Sequence, residues 1–311
     1  MRAHERVATT LAAALTLVFA ASGLGMCQAP AAAQAKAAAS ALDDRVRAEI
    51  APFKGKVSLY AKNLETGETY SLNGDERVTT ASTIKVAVMV EAFARVAEGH
   101  AKWTDELVLT KAAKVSGSGI LQELSDGLHL TLRDCVNLMM LVSDNTATNL
   151  VLDYLTTDSV NERMNALGLK QTRIMRKIGG GGESKAGKEA DNKRFGLGAT
   201  TPHEMVEILE QLDRGKIVSA AVSKEMLDLM KREQARFAIG RTRWDVPMAS
   251  KYGALDHLRS AVGIIYTKQG KIAMAITVDE MPDVVWSVDN PGYLLMDRLS
   301  SILVDGLAEK K

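Results

Sequence analysis

The chain has 311 residues, of which 25% are charged and 46% are hydrophobic, and its formal net charge at pH 7 is +1. This composition is typical of a globular protein with one larger domain or two lobes, and it lacks the strongly basic balance of a nucleic-acid-binding protein. We therefore expect no nucleic-acid partner.

The first thirty-five residues are typical of an export signal. Arg2 and Arg6 form a basic segment, an apolar run follows, and "AAAQA" at 31–35 offers the small residues that a signal peptidase requires. We expect this signal peptide to be cleaved and the protein to be exported to the periplasm or the extracellular space. The alternatives are a transmembrane anchor and, from the position of Cys27, a lipid anchor.

Removal of this leader from the 311 residues leaves 276, with 37 basic and 37 acidic side chains, so the mature chain is formally neutral. Cys135 is then the only cysteine, which excludes an internal disulfide. We expect no metal site, because the remaining histidines show no ligand spacing. These histidines are His100, His129, His203 and His257. We also expect a monomer with no other cofactor and no membrane span after cleavage.

The predicted elements begin with a helix at 41–53, which has helical periodicity. The segment 56–74 predicts two strands around a Thr-Gly turn, and helical patterns follow for about 140 residues. Two strands joined by Lys-Gln-Gly are predicted within 260–280. Asn290 as N-cap and Pro291 at the first helical position then predict a C-terminal helix.

This order of elements predicts an α/β fold of the α+β type. Strands near both chain ends are expected to meet in one mostly antiparallel sheet flanked by helices. We predict a single domain at 36–311, with an α/β lobe at 41–75 and 216–311 and an all-helical lobe at 76–215. A cleft between two lobes is the usual place for a binding site.

The segment "TASTIKVAVMVEAF" at 80–93 changes from polar to apolar, as at the start of a helix. A helix beginning near Ser82 places Ser82 and Lys85 on one face. A serine hydroxyl needs a nearby base to act as a nucleophile, and an amine with a lowered pKa can be that base. Because S-x-x-K is expected about once by chance in such a chain, an ordinary helix start is the alternative.

Two further segments carry polar groups that could serve the same chemistry. The Ser-Asp-Asn segment 143–145 follows an amphipathic run in which Thr131 and Asp134 are spaced as a capping box. Its alternative interpretation is the end of one helix and the cap of the next. The Lys-Tyr-Gly segment 251–253 lies just before the predicted C-terminal strands, and K-x-G alone is as common by chance as S-x-x-K.

In order and spacing, these motifs together resemble the set found in class A β-lactamases and penicillin-binding proteins. Ser143 lies 61 residues after Ser82, and the Lys-x-Gly motif begins 108 residues after Ser143. The segment 117–122 is similar to the loop that flanks the cleft, and 200–205 is similar to the helix after the omega loop. The resemblance implies a β-lactamase/transpeptidase-like fold and a small-molecule β-lactam or peptidoglycan-derived substrate.

The resemblance also implies a role for each matching residue. Ser82 would be the acylated nucleophile, and Lys85 would be its proton-relay partner. Ser143 would pass the proton to the lactam nitrogen. Asn145 would hold the side-chain amide of the substrate.

The Lys-x-Gly motif would hold the other end of the substrate. Lys251 would attract the substrate carboxylate. Tyr252 stands where the family usually has Thr or Ser, so substrate preference should not be inferred by analogy. The backbone N–H of Ala254, just after Gly253, would form the oxyanion hole together with that of Ser82.

The segment that resembles the omega loop departs from the family pattern. Arg176 and Asp191 are spaced like the pair that closes this loop, but the position of the deacylating glutamate is occupied by Ile178, and E-x-x-L-N is absent. Glu183, after a Gly-rich bend, is the nearest carboxylate that could reach the cleft as a base, whereas Glu189 and Asp191 are expected in ion pairs. In the alternative interpretation Glu183 is a solvated loop residue, and turnover is slow.

The expected activity is therefore that of a serine β-lactamase, which hydrolyses β-lactams through an acyl-serine intermediate. One alternative is a penicillin-binding D-Ala-D-Ala carboxypeptidase, which the missing glutamate favours. Another is a β-lactam or muropeptide sensor that remains acylated. Rapid loss of a penicillin label would favour the β-lactamase, a persistent label would favour a penicillin-binding protein, and absence of label would exclude the family.

Overall fold

The computed structural model describes residues 31–308, with side chains from residue 39 onward. Most of the predicted export signal, including Cys27, therefore lies outside the described residues. The first helix begins at Ala31 and runs across the predicted cleavage site at Ala35. Within residues 31–308, none of the helices combines the length and the apolar character needed to cross a membrane.

The helices are α1 (Ala31–Ile50), α2 (Lys85–Ala97), α3 (Leu132–Leu141), α4 (Asn145–Leu155), α5 (Thr157–Ala166), α6 (Lys185–Lys188), α7 (Pro202–Asp213), α8 (Ala220–Met230) and α9 (Pro291–Leu307). The strands are β1 (Lys56–Asn63), β2 (Thr69–Leu72), β3 (Val78–Thr79), β4 (Glu106–Leu109), β5 (Leu128–Thr131), β6 (Arg173–Ile174), β7 (Gly198–Thr200), β8 (Met248–Leu255), β9 (Leu258–Thr267) and β10 (Gly270–Asp279).

The main sheet has five strands in the order β2-β1-β10-β9-β8, and every neighbouring pair is antiparallel. The predicted meeting of both chain ends in one antiparallel sheet is confirmed. The sequence prediction missed β8, and Lys251 lies inside this edge strand rather than before the strands. Its sequence, "MASKYGAL", contains small residues and a glycine instead of the β-branched residues that favour strands.

The sheet is buried on both faces, which explains why β9 and β10 are apolar along most of their length. Ile265 and Ile276 pack on the side of α1 and α9. Ile264 and Ala275, one residue away on each strand, pack in the core that also contains α2, α7 and α8. The alternation of side chains along a strand thus connects two hydrophobic cores through a single sheet.

The segment 76–215 is mostly helical but is not the all-helical lobe that was predicted. It also contains β3, β7 and β6, which form a small sheet, and the two-stranded antiparallel sheet of β4 and β5. These strands have two to four residues, too few for a period-two pattern to be detected in the sequence. The predicted capping box at Thr131 and Asp134 is confirmed, since both of its hydrogen bonds are present at the start of α3.

Candidate active site

A cavity of about 610 Å³ lies beside strand β8. Its walls are formed by Ala81, Ser82, Gly117, Ser118, Ser143, Asn145, Arg176, Ile178, Gly179, Gly196, Leu197, Phe237, Tyr252, Ala254, Leu255, Arg259, Trp286, Ser287, Val288 and Tyr293. The fold thus brings five of the predicted site residues to one cavity, namely Ser82, Ser143, Asn145, Tyr252 and Ala254. The other four, Lys85, Lys251, Gly253 and Glu183, lie outside the lining.

Ser82 lies in a 3-10 helix, Ala81–Ile84, that continues directly into α2. The helix predicted to begin near Ser82 is therefore present, with a tighter first turn. Gly253 on β8 lies against this turn, because a Cβ built at Gly253 would come within 2.7 Å of the Ser82 backbone nitrogen. A glycine at this point lets the edge strand approach the backbone of the serine closely.

Lys85 is fully buried below the cavity. Its Nζ donates hydrogen bonds to Ser143 O at 2.7 Å, Ser143 Oγ at 3.2 Å and Asn145 Oδ1 at 3.0 Å. Among the described residues it makes no hydrogen bond to Ser82. Burial, followed by the charge of Lys251, holds the pKa of the Lys85 amine well below its usual value of 10.5. The lowered pKa favours the neutral amine that a proton acceptor requires, and the nitrogen is in direct contact with Ser143.

The Ser-Asp-Asn segment is held by the side chain in its middle. The Asp144 carboxylate caps α4 through Ala147 N at 2.8 Å and also accepts hydrogen bonds from Ile120 N at 2.7 Å and Leu121 N at 2.9 Å. Ser143 itself adopts a φ of 56°, in the left-handed region. The turn at Ser143 and Asp144 thus both caps α4, through Asp144, and places Ser143 in the cavity wall.

Lys251 is fully buried and pairs with Glu233, which the sequence analysis did not identify. The distance from Lys251 Nζ to Glu233 Oε1 is 2.7 Å, and Ser250 Oγ donates to the other carboxylate oxygen at 2.9 Å. Burial raises the pKa of the Glu233 carboxyl group, and the Lys251 charge opposes this shift. The ammonium predicted to meet the substrate carboxylate is thus already paired, behind the cavity wall.

Arg259 is a second residue that the sequence analysis missed. It lies on β9 opposite Ala254, and its guanidinium lies 5.0 Å from the ring centre of Trp286 and 5.2 Å from that of Tyr293. Burial lowers the pKa of this group. An arginine in an otherwise apolar strand is rare, and this could have indicated a functional position.

Ile178 lines the cavity at the position where a deacylating glutamate was expected. Its backbone is held by the side chain of Asn149, which donates to Ile178 O at 2.9 Å and accepts from Ile178 N at 3.0 Å. Glu183, the candidate base, is exposed and does not reach the cavity. Within the described residues, the cavity lining contains neither aspartate nor glutamate.

The predicted pair between Arg176 and Asp191 is not formed in the part of the chain that the structure describes. A short 3-10 helix, Ala190–Phe195, leaves Asp191 exposed, and Arg176 instead lines the cavity. The ion pair expected for Glu189 is also absent there, since this carboxylate accepts a hydrogen bond from Asn192 Nδ2 at 2.9 Å. In this loop Glu189 thus accepts a hydrogen bond from a neutral amide instead of pairing with a cation, and Arg176 donates to the Lys177 carbonyl.

Comparison with known proteins identifies relatives over most of the chain. The sequence model of the beta-lactamase enzyme family matches residues 41–307. The beta-lactamase CARB-4 of Pseudomonas aeruginosa is 25% identical over 232 residues, which is 73% of this chain and 77% of that protein. The crystal structure of a beta-lactamase from Sphaerobacter thermophilus is 30% identical, with a TM-score of 0.75, and covers 86% of this chain and 97% of that one. The structure of PBP-A, 23% identical with a TM-score of 0.74, covers 86% of this chain and 95% of that one and shares the fold.

Proposed function

The chain belongs to the beta-lactamase enzyme family, and we propose from this premise that it opens β-lactam rings by forming an acyl-enzyme on Ser82. The observation that carries this proposal is the position of Ser82 in the cavity wall, three residues before Lys85, a buried amine that contacts a second serine of the same wall. This arrangement supports a nucleophile, a base and a proton relay within one site. The substrate class is therefore small β-lactams.

In the proposed acylation, Ser82 Oγ attacks the lactam carbonyl carbon and gives up its proton. The proton passes to the Lys85 amine and from there, through Ser143 Oγ, to the lactam nitrogen as the carbon–nitrogen bond breaks. The hydrogen bonds from Lys85 to Ser143 support this route. The products of the step are a Ser82 ester and a ring-opened amine, so all atoms remain in the complex.

The developing oxyanion is proposed to lie between the backbone N–H groups of Ser82 and Ala254. Two observations support this placement. Both residues line the cavity, and Gly253 allows β8 to lie against the turn that contains the serine. Hydrogen bonds to charge that develops in the transition state are commonly worth about 3–4 kcal/mol of the barrier.

The two ends of the substrate are proposed to meet different walls. The acyl side-chain amide faces Asn145, whose Nδ2 donates to Ser116 O at 3.1 Å and whose Oδ1 accepts from Lys85. The substrate carboxylate faces the wall that contains Tyr252. Arg259 lies in that wall, whereas Lys251 lies outside the lining and is paired with Glu233.

Hydrolysis of the ester needs a water molecule and a base near the carbonyl carbon. Because the cavity lining supplies no carboxylate within the described residues, we propose that deacylation is slow. This observation favours a second candidate, a penicillin-binding D-Ala-D-Ala carboxypeptidase-type activity or a slowly deacylating sensor. In the hydrolytic reaction, water would add to the carbonyl carbon, release the opened acid and return a proton to Ser82 Oγ.

Export and action as a monomer are part of the same proposal. The basic and apolar leader supports export to the periplasm or beyond, where β-lactams and peptidoglycan precursors are met. Resistance to β-lactam antibiotics would follow only if turnover is fast enough to protect the cell.

The test is labelling with a fluorescent penicillin, followed by a chase with unlabelled compound. We expect the wild-type protein and a Ser118→Ala control, which alters another serine of the same cavity, to be labelled. The Ser82→Ala variant should remain unlabelled, and the wild-type label should be lost slowly. Absence of label on the wild type overturns the proposal, whereas rapid loss of label supports an efficient β-lactamase with a base elsewhere.

A further inference from the structure

Arg176 places a guanidinium at the cavity with most of its donors unused. A guanidinium carries five N–H donors. Within the described residues, Arg176 makes one hydrogen bond, from Nη1 to the neighbouring Lys177 O at 3.0 Å, and it forms no ion pair. The adjacent Lys177 differs, because its ammonium is paired with Asp153 at 2.7 Å.

The surroundings of Arg176 leave space for an anion. A Cβ built on Gly196 would lie 3.9 Å from Arg176 Nη2, so the glycine leaves this edge of the guanidinium uncovered by a side chain. Gly196 has a φ of 61°, a conformation that glycine adopts at little cost. A planar guanidinium with an open edge can bind a carboxylate through two parallel hydrogen bonds.

The position of Arg176 relative to Ser82 defines which part of a substrate it would meet. Arg176 lies two residues before Ile178, whose backbone is held by Asn149 of α4, the helix that begins at Asn145 on the proposed acyl side of the site. Arg259, the other arginine of the described lining, is fully buried, and its guanidinium donates to the carbonyls of Leu255, Leu258 and Val285. Arg176 is therefore the partly exposed arginine of the described lining, and no carboxylate in that lining balances its charge.

We infer that Arg176 selects substrates that carry a second carboxylate on the acyl side of the scissile amide. This inference rests on the proposed function, because it uses acylation at Ser82 to define the two sides. The preferred ligands are then dianionic acyl donors. Such a carboxylate is present in α-carboxypenicillins and in peptides with an acidic residue before the scissile unit.

Carbenicillin and benzylpenicillin form a matched pair for the test, because they differ only by the α-carboxylate. We expect stopped-flow acylation of the wild type at low ionic strength to favour carbenicillin by roughly five- to tenfold, the range of one partly exposed charge-assisted contact. Arg176→Gln should abolish this preference, and Arg176→Lys should restore part of it. The control Lys177→Gln, which alters a neighbouring cation outside the lining, should keep it.

The salt dependence of this preference distinguishes an electrostatic role of Arg176 from a purely structural one. The preference of the wild type for carbenicillin should shrink at high ionic strength, while the ratio for Arg176→Gln should stay constant. A peptide pair that ends in D-Ala-D-Ala, with glutamate or glutamine before it, distinguishes a peptide source of the carboxylate from an antibiotic source.

Equal loss of acylation with both penicillins in Arg176→Gln, or an unchanged ratio, would overturn the inference. Failure of the wild type to react with either penicillin would contradict the proposed function instead. The inference then remains testable by calorimetric titration of the Ser82→Ala variant, in which tighter binding of carbenicillin than of benzylpenicillin should depend on Arg176. Equal affinities in that titration would also overturn it.

Discussion

Ile178 occupies a point of the cavity wall at which a carboxylate would face the acyl-enzyme. The Asn149 side chain binds both the backbone carbonyl and the backbone N–H of Ile178, so the Cα of a substituted residue should keep its position. We expect Ile178→Glu to shorten the lifetime of the penicilloyl-enzyme by at least about tenfold, within the range usual for a positioned general base. The measurement is the decay of the acyl-enzyme after removal of free penicillin.

Glu183→Gln is the matched control for this prediction. The Glu183 side chain is exposed and lies outside the cavity, so the decay rate should equal that of the wild type. A slower decay in Glu183→Gln would mean that the loop carries this carboxylate into the site during turnover. It would also restore Glu183 as the deacylating base.

Lys85 connects the chemistry of the site with the stability of the protein. The pKa of the Lys85 amine lies well below 10.5 in the folded state. At pH values between the folded-state pKa and 10.5, the unfolded chain therefore binds more protons than the folded one. The resulting penalty is complete below the folded pKa, shrinks as the pH rises and vanishes near 10.5. We expect the stability of the wild type relative to Lys85→Met to increase from pH 7 towards pH 10, as measured by urea denaturation. A constant difference would mean that the buried amine keeps its ordinary pKa.

At the scale of single elements, the loop 116–122 and the start of α4 form one unit. Gly119 has a φ of 102°, and a Cβ built there would overlap the Asp144 carboxylate. Asp144 in turn holds Ile120 N and Leu121 N. A change in this loop should therefore displace the segment that contains Ser143.

Gly119→Ala tests this coupling. The overlap and the unfavourable backbone conformation together should cost about 2–4 kcal/mol of unfolding free energy, and penicillin acylation should slow markedly. Gly127→Ala is the control, because Gly127 also has a positive φ of 84° but no atom lies within 4 Å of its built Cβ. We expect the control to lose about 1 kcal/mol and to keep its acylation rate. Equal acylation rates in the two variants would contradict the coupling.

At the scale of the whole molecule, the sheet joins the two hydrophobic cores. Val262 and Ile264 of β9 contribute to the core that includes α2, while Ala261 and Ile265 of the same strand contribute to the core of α1 and α9. Disruption of β9 in one core would therefore also disrupt the other core. We expect far-ultraviolet and near-ultraviolet circular dichroism to report one coincident transition in urea. Two separated transitions would show that the lobes unfold independently.

The sequence predicted those parts of the fold and site that have a period or a motif. The spacing of the three motifs located Ser82, Ser143 and Asn145, and the apolar runs on either side of Lys-Gln-Gly located β9 and β10. Glu233 could not be predicted, because it lies in an irregular segment with no motif of its own. Its role appears only when tertiary structure brings Lys251 to within 2.7 Å of it.

The errors in the loop between Arg176 and β7 have a different cause. Sequence spacing suggested a pair with Asp191, but the segment after Arg176 forms α6 and a 3-10 helix that leave Asp191 in solvent. Sequence spacing predicts such a contact only when the residues between the two positions follow the same path as in the family. Arg176 therefore remains at the cavity, a position that no sequence pattern predicted.

The central claim, that Ser82 forms a covalent ester with β-lactams, is tested most directly by locating the bound group. The protein is incubated with benzylpenicillin and digested, and its peptides are sequenced by tandem mass spectrometry. The predicted result is one penicilloyl group per chain, confined to Ser82 and absent from the Ser82→Ala variant. A protein that carries no penicilloyl group, or one that carries it on Ser118 or Ser143, would contradict the claim.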